Sequence, residues 1–407
     1  MLAEEFYRDA DPASTGPLAH LRVLDVTKVW SGPLASGVLA DLGADVIRIE
    51  LPYGRDGDVP PQIPGTGRSW FRETVNRNKR SVGLDLREPA GRAAFLELVA
   101  TADVVVENYR PGTLDGWGVG YRQCREVRPG VVFVSVSGWG QYGPGAHRAA
   151  YDPAVQAAAG WMSLNGEPGG PPMRAPTFLA DELAGLHAAI GALAAIVHRD
   201  RTGDGQHVDV SMMDTLLAGS AGLPTLAAAG APPRRSGNET DFVVPSNVYA
   251  CTDGYVYLAV ALNKHWRELA AAMGRPELGR ASGYGGNAER IAHRADVDAL
   301  VAGWCAGLST QDVLDALQPR GLVIAPVRTL AQVVADPDLH ERGTLQHVTL
   351  TNGTSAVMVA PPARFSRTPT RIRCGAPEPG QHTAEILGEQ PYAATGEKTA
   401  PSPVRYG

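Results

Sequence analysis

Cysteine is scarce in this chain: four residues in 407, at positions 124, 251, 305 and 374. No two form a CxxC pair and none has a cluster of ligand residues beside it, so no metal site is expected. Thiols this widely spaced, in a chain long enough to bury its own core, read as reduced thiols of a cytoplasmic protein. A basic excess is missing as well. The 37 Lys and Arg face 43 Asp and Glu for a net charge of -6, which argues against general nucleic-acid binding. The longest uncharged apolar run, Leu183–Val197, is 15 residues counting His187, short of the roughly 20 that span a bilayer. The opening stretch MLAEEFYRDADPASTG has no basic region followed by an apolar one, so neither a secretory signal nor membrane attachment is expected. GxxxxGK[ST], HExxH and GxSxG do not occur, which removes the P-loop, zincin and serine-hydrolase readings.

An α/β rhythm fills most of the chain. Apolar strand-like runs at Leu21–Thr27, Asp45–Glu50, Asp103–Asn108 and Val131–Ser137 alternate with helical spacing at Pro33–Gly43 and Glu88–Thr101. This alternation predicts a Rossmann-like parallel sheet with helices on its faces. Ligands in such sheets sit at the carboxyl ends of strands, which directs attention to Lys28–Gly32, the residues after Glu50, and Asn108–Gly112. A nearly all-apolar pattern over 177–200 predicts a long buried helix, followed by a strand at Gln206–Met212. The first segment is thus 1–225. Residues 226–243, rich in Ala, Gly and Pro around Ala227–Glu239, read as a linker. A smaller α+β unit is expected over 244–327, with a hairpin at Thr252-Asp253-Gly254, a strand at Tyr255–Val260 and helices near 264–273, 297–306 and 310–317. Ser309 and Asp312 suit the cap of the last. From 328 to 407 the pattern is short strands and loops, with a loose tail at 391–407.

Several residue groups carry possible chemistry. Asp181 opens the long helix, where unpaired N–H groups and the helix dipole favour a carboxylate by roughly 0.3–1 kcal/mol. That would keep it ionised and available as a nucleophile, or simply make it a cap, with Glu182 beside it as a competitor. Tyr151-Asp152 is a second polar pair at a helix start, where a cap is the plain reading. His147 and His187 are possible bases. Gly138-Trp139-Gly140-Gln141-Tyr142-Gly143 matches GxGxxG after a strand. No helix opens at its third glycine, however, so a glycine-rich substrate loop or a plain turn fits better than a dinucleotide site. The basic run Asn76–Ser81 with Arg87 is either a solvated face or a phosphate contact. Asn108-Tyr109-Arg110-Pro111-Gly112 offers an amide, a ring and a guanidinium suited to a nucleotide-like ligand. Arg72 and Arg174 are candidates for an acid's carboxylate.

Taken in order, LDVTKVWSGPLASGVLADLGADVIRIELP, NRNKRSVGLDLREPAG and ADVVVENYRPGTLDGWGVGY closely resemble the class III coenzyme A transferases. SVSGWGQYGPG, YDPAVQAAAGW and FLADELAGLHAAIGALAAIVHRDRTGDGQHVDVSMMD continue the match. The family includes formyl-CoA and carnitine CoA transferases and the related α-methylacyl-CoA racemases, and the likeness is strongest over residues 20–215. The resemblance implies a large domain built from both chain ends, with 328–407 returning to it, and an interlocked homodimer. It places the nucleophile on Asp181. CoA and substrate contacts fall on Trp30, Ser31, Leu84, Arg87, Asn108, Tyr109, Arg110, Tyr151 and Asp152. The racemase histidine falls on Tyr151 and the racemase glutamate on Asn263, and SGNETDFVVPSN stands where the formyl-CoA transferases carry a glycine run.

The expected activity is transfer of coenzyme A from an acyl-CoA to a carboxylic acid, through an aspartyl mixed anhydride and an aspartyl-CoA thioester. Such an enzyme is a transferase of sulfur-containing groups with CoA as a substrate and no permanently bound cofactor. Gly138, Gly140 and the Asp181–Gly185 turn are candidate oxyanion donors. The rivals are an acyl-CoA racemase acting by α-proton exchange, a nicotinamide oxidoreductase and a non-catalytic CoA-binding protein.

Overall fold

The computed structural model of the chain describes residues 2–51, 61–280 and 284–388. The tail expected at 391–407, and the stretch after Leu51, lie outside the described residues. The chain forms two compact units. One draws on 1–159, 176–222 and 342–407, the other on 160–175 and 223–341. The chain therefore returns to the first unit at Arg342 rather than at 328. The 226–243 stretch, expected from composition to be a linker, belongs to the second unit together with 160–175.

The first unit is built on six parallel strands: β1 (Arg22–Val26), β2 (Asp45–Glu50), β3 (Arg80–Gly83), β4 (Val104–Glu107), β5 (Val132–Ser137) and β6 (His207–Ser211). They run side by side as β3-β2-β1-β4-β5-β6. The order reverses between β1 and β4. That reversal is the switch point, at whose carboxyl ends doubly wound sheets bind ligands. Strands buried on both faces need largely apolar sequence, which VVVE and VFVSVS supply with only Glu107 and two small serines as exceptions.

Helices cover the sheet on both faces. Phe95, Leu98 and Val99 of the helix Pro89–Val99 pack with Leu24, Ile47, Val82, Val105 and Phe133 in one core. α1 (Ser31–Asp41) packs against α2 (Leu179–Thr202), and α2 also lies on β5 and β6. Small residues allow close approach of the two helices. A Cβ on Gly185 would sit 2.8 Å from the Ser31 carbonyl oxygen. By length and composition α2 could cross a bilayer, but half of its apolar window is buried inside the unit, as in a core helix.

A network of charges is sealed beneath the sheet's carboxyl edge. Asp25, at the end of β1, accepts from the Thr27 N–H and hydroxyl, from Ser36 of α1 at 2.8 Å, from Lys79 Nζ at 2.8 Å and from Arg48 at 3.5 Å. Asp25 and Lys79 are fully buried. Burial would raise the Asp25 pKa, but Lys79 and Arg48 outweigh it and hold the group at about 2. Burial lowers Lys79 to about 8 against the pull of Asp25. Glu50 takes both guanidinium nitrogens of Arg72, at 2.8 and 3.1 Å, with Arg48 Nε at 3.2 Å. Arg72 is therefore a structural cation rather than a carboxylate receptor. The basic run likewise turns inward. Arg77 pairs with Asp41 at 2.7 Å and Arg80 with Asp45 at 2.6 Å, so it is neither a solvated face nor a phosphate site. The C-terminal segment completes this wall. His382 donates its N–H to the Ser81 carbonyl, and Thr383 accepts from the Gly83 N–H, closing the β3 edge.

The second unit is α+β. β7 (Ser246–Ala250), β8 (Tyr255–Ala259) and β9 (Val323–Pro326) form an antiparallel sheet, the first two joined by the expected hairpin. Helices Asn263–Ala272, Arg294–Cys305 and Thr310–Leu317 accompany it, and Ser309 with Asp312 forms a capping box. Its core centres on Trp266, Leu258 and Leu269. Asn263, the position of the racemase glutamate, accepts a hydrogen bond from buried Arg290 at 3.2 Å.

The Asp25 network gives a stability test. Asp25→Ala leaves Lys79 and Arg48 buried without their shared counter-charge, and is expected to lower unfolding free energy by about 3–5 kcal/mol. Urea denaturation followed by circular dichroism measures it. A loss below about 1 kcal/mol would show that the buried charges are compensated elsewhere.

Candidate active site

The switch point is built from backbone first. Lys28 follows β1 and Asn108 follows β4. The Asn108 amide spans the gap, accepting from the Lys28 N–H at 2.7 Å and donating to the Lys28 carbonyl at 2.7 Å. This reciprocal pair holds the turn in which Val29 takes φ +63°, a left-handed conformation costly for a β-branched residue. Gly32 is required beside it, since a Cβ there would fall 2.6 Å from Thr27 and 2.9 Å from Asn108. The turn leads straight into Ser31 at the start of α1.

Two cavities open along this edge. The first, about 160 Å³, is lined by Lys28, Arg48, Glu50, Leu84, Arg87 and Tyr109, among others. Lys28 Nζ lies 5.0 Å from the centre of the Tyr109 ring, and the Tyr109 and Trp117 rings meet edge to face with centres 5.1 Å apart. The second, about 250 Å³, is lined by Ser31, Asn108, Arg110, Ser137, Tyr151 and Asp181 together with Arg148, Gly138 and Met212. Lys28 and Tyr109 belong to both cavities, so the two meet at the switch point. A mixed polar pocket at the tips of β1–β3 thus lies next to a second pocket that reaches a carboxyl group at the start of α2.

Asp181 is buried. Ser31 lies beside its carboxylate, and the hydroxyl and backbone N–H of Ser31 favour the charged form. Burial raises its pKa most, the Asp152 carboxylate adds to this, and the Ser31 hydrogen bonds only partly offset both, leaving Asp181 at about 7. This corrects the expectation that the helix N-terminus keeps Asp181 ionised. Asp152 has taken that position. Its Oδ1 accepts from the Ala180 N–H at 2.6 Å and the Asp181 N–H at 3.4 Å, while Gln156 donates to its Oδ2 at 2.7 Å. The helix dipole thus stabilises a carboxylate contributed from 29 residues upstream in the chain.

The other expected site residues separate into three groups. Ser31, Tyr109, Arg110 and Tyr151 line the second cavity, and Tyr151 is 73% exposed there. Leu84 and Arg87 line the first, with Arg87 paired to Asp85. Asn108 lines the second cavity, but its amide is committed to Lys28. Trp30 and Asp152 line neither. Trp30 is enclosed by Trp70, Phe71 and Phe178, with ring centres 4.7–5.6 Å away, and Asp152 acts on Asp181 from behind. Of the possible oxyanion donors, Gly138 lines the cavity. Gly140, at φ +88°, lies instead beside Asp209, and the Asp181–Gly185 turn is partly spoken for, since the Asp181 N–H goes to Asp152 and the Glu182 N–H to Phe178. Among the described residues no histidine lines either cavity, and no cluster of His, Cys, Asp and Glu is arranged to hold a metal.

Sequence reasoning passed over Lys28, Ser137 and Arg148 as individual contacts, although Lys28 and Ser137 stand at strand carboxyl ends. It also passed over Glu107, buried at the end of β4. Burial pushes Glu107 up to about 7, while the Ser135 hydroxyl nearby and the Tyr109 N–H, which donates to it at 2.8 Å, pull the other way.

The comparisons with known proteins agree with this geometry. The family model CoA-transferase family III matches residues 18–383. A succinate–glutarate CoA-transferase from Agrobacterium fabrum is 34% identical over 96% of this chain and 98% of its own. The β subunit of a succinyl-CoA–L-malate CoA-transferase from Chloroflexus aurantiacus is 35% identical over 92% and 94%. A crystal structure of a CaiB/BaiF family protein from Brucella suis superimposes with a TM-score of 0.83 at 33% identity, covering 92% of this chain and 99% of that one.

The electrostatics of Asp181 can be read directly. Carboxyl-carbon NMR should show it titrating near pH 7 in the unliganded protein. Asp152→Asn keeps an oxygen acceptor for the Ala180 N–H but removes the charge, so the midpoint should move down. An Asp181 that titrates near 4, the ordinary aspartate value, would disprove the assignment of cause.

Proposed function

Because the chain belongs to CoA-transferase family III, we propose that this CoA-transferase moves coenzyme A between a dicarboxylic acyl-CoA, of which succinyl-CoA is the first to test, and a carboxylic acid, with Asp181 as the covalent carrier. The observation that carries the reading is the Asp181 carboxylate, buried beside Ser31 and lining a cavity at the switch point of the sheet. The succinyl-CoA choice rests on the names of the relatives.

The Asp181 carboxylate attacks the thioester carbonyl carbon of the donor. The C–S bond breaks, leaving a mixed anhydride and the CoA thiolate. The thiolate attacks the aspartyl carbonyl, releasing the donor acid as its carboxylate and forming an aspartyl-CoA thioester. The acceptor carboxylate then attacks that thioester, again expelling thiolate, and the thiolate takes the acyl group from the new anhydride, restoring Asp181. No step consumes or releases a net proton, and the energy of the thioester passes along the chain of acyl bonds. Burial suits each intermediate. It penalises the charged carboxylate but not the neutral anhydride or thioester, and it keeps water from hydrolysing them. Ser31 and the Gly138 turn are the nearest candidates to meet the charge that develops on the carbonyl oxygens. The first cavity, between Leu84, Arg87 and Tyr109, takes the nucleotide end of CoA. The α-proton chemistry of a racemase has less support, since the relatives are named transferases and Tyr151 stands at the racemase histidine's position.

An interlocked homodimer belongs to the same reading. Leu186, Ile190 and Val197 form an apolar stripe on the outer face of α2, 45–61% exposed, that a second chain would cover. The four unpaired thiols are consistent with a cytoplasmic setting.

Asp181→Ala should abolish transfer from succinyl-CoA to a panel of mono- and dicarboxylic acids, together with the hydroxylamine-sensitive adduct seen by mass spectrometry. Full turnover in that variant ends the proposal. Only the carboxylate attacks, so kcat/KM should fall about tenfold per pH unit below an acid limb near 7. A profile flat down to pH 5 would contradict the nucleophile's assigned state. Sedimentation equilibrium should give about twice the 42.9 kDa chain mass, and a monomer mass would dismiss the dimer.

A further inference from the structure

Arginines around the strand ends are mostly committed to the protein's own carboxylates. Of those that line the two cavities, Arg48 pairs with Glu50 and Arg87 with Asp85. Arg110 and Arg148 line the second cavity and have no carboxylate partner among the described residues. Arg110 follows Tyr109, which lines both cavities, whereas Arg148 stands on the segment Ala146–Tyr151, which lines only the second. That segment is anchored. The Arg148 N–H donates to the Gly145 carbonyl at 3.0 Å, and the Trp139 indole donates to the Ala149 carbonyl at 3.4 Å. Ala150 packs so closely on Gly138 that a Cβ added there would sit 2.1 Å from the alanine's own. The segment then runs into Asp152, whose carboxylate caps α2 beside Asp181. An exposed, unpaired guanidinium thus stands on fixed backbone four residues before that cap.

The groups that weigh most on the Asp181 pKa are burial, Asp152, Ser31 and Glu182, and no cation is among them. Arg148 therefore does not neutralise the reactive carboxyl, and its charge is left for a molecule that enters the cavity. The lining suits an anion, with Lys28, Arg110 and Arg148 against Asp181 as the one carboxylate among the lining residues described. Coenzyme A carries its phosphates at the nucleotide end and no charge along the pantetheine arm, so the carrier itself needs no cation beside its acyl group. An acyl group that ends in a second carboxylate does need one, because that carboxylate sheds water as it enters. A guanidinium answers it with charge and two parallel N–H donors. We propose that Arg148 is the specificity residue of this site, its guanidinium binding the carboxylate that stays unreacted while the other end of a dicarboxylic acyl group is joined to Asp181. This rests on the transferase reading and deepens it, by naming the side chain that selects dicarboxylic over monocarboxylic acyl groups.

Exchange of a labelled acid into its own acyl-CoA tests this without a second acid. Labelled succinate is exchanged into succinyl-CoA, and labelled butyrate into butyryl-CoA, which has a methyl group in place of the second carboxylate. In Arg148→Ala, kcat/KM for succinate exchange should fall roughly 10- to 100-fold, the range of a hydrogen bond between charged groups, while butyrate exchange stays within about twofold of wild type. Arg148→Lys keeps the charge without the paired donors and should recover part of the loss. Free CoA, titrated by calorimetry, should bind Arg148→Ala as it binds wild type. Equal losses for succinate and butyrate would overturn the inference, since a structural fault acts on both. Weaker binding of free CoA would overturn it too, by assigning the guanidinium to a phosphate. A wild type that exchanges succinate but not butyrate already shows the selection, and the succinate loss with unchanged CoA binding then decides. If wild type exchanges both and the variant loses neither, the transferase reading stands and this assignment alone fails. If wild type exchanges neither, the transferase reading fails first and Arg148 with it.

Discussion

The carboxylate of Asp152 sealing the first N–H groups of α2 is the contact on which the site turns. A helix start in the interior must satisfy its unpaired donors. Here that need is met by Asp152, the first residue of the helix Asp152–Ala158, not by the aspartate two residues into the helix itself. One bond set does two things. It docks the 24-residue helix against the strand ends, and it denies Asp181 the stabilisation its own position would otherwise provide. A carboxyl that is buried and next to another carboxylate titrates near neutrality even with Ser31 beside it, whereas the same group with the helix end to itself would be an inert anion.

Everything around that contact serves to keep it in register. Asp25 gathers Thr27, Ser36, Lys79 and Arg48, tying β1, α1 and the start of β3 into one block. The Asn108–Lys28 pair then locks the turn that carries Ser31 to the Asp181 carboxylate. The left-handed backbone at Val29 is the strain this arrangement accepts. Most of the charged residues near the active edge thus bind the protein to itself, and few remain to meet a ligand. That division explains why the basic run at 76–80 lies beside the site without belonging to it.

Much of the frame was legible from spacing alone. Strands at Asp45–Glu50 and Val131–Ser137 and the long helix expected over 177–200 followed from apolar periodicity, because burial repeats with the geometry of each element, and the cap at Ser309 followed from residue type. The short strand Arg80–Gly83 hid inside a basic run. Its arginine, serine and glycine give no apolar period, and the partners that make it a strand are β2 and the C-terminal segment. Asp181 and its cavity neighbours at strand ends could be named from position and family likeness. Glu107 and Ser137 could not be told from any other strand-terminal polar residue until their burial was known.

The sequence by itself determined the alternation of strand and helix, the ends of strands where a ligand would enter, and the presence of an acidic residue at the mouth of an apolar helix. These follow from local pattern, which needs no knowledge of distant residues. Tertiary structure decided which carboxylate is capped and which is left reactive, which cations are neutralised inside, and which stay unpaired. Those outcomes depend on burial and on groups 300 residues apart and more meeting in space, as Thr383 meets Gly83. Electrostatics in a low-dielectric interior is set by such meetings and not by sequence neighbours.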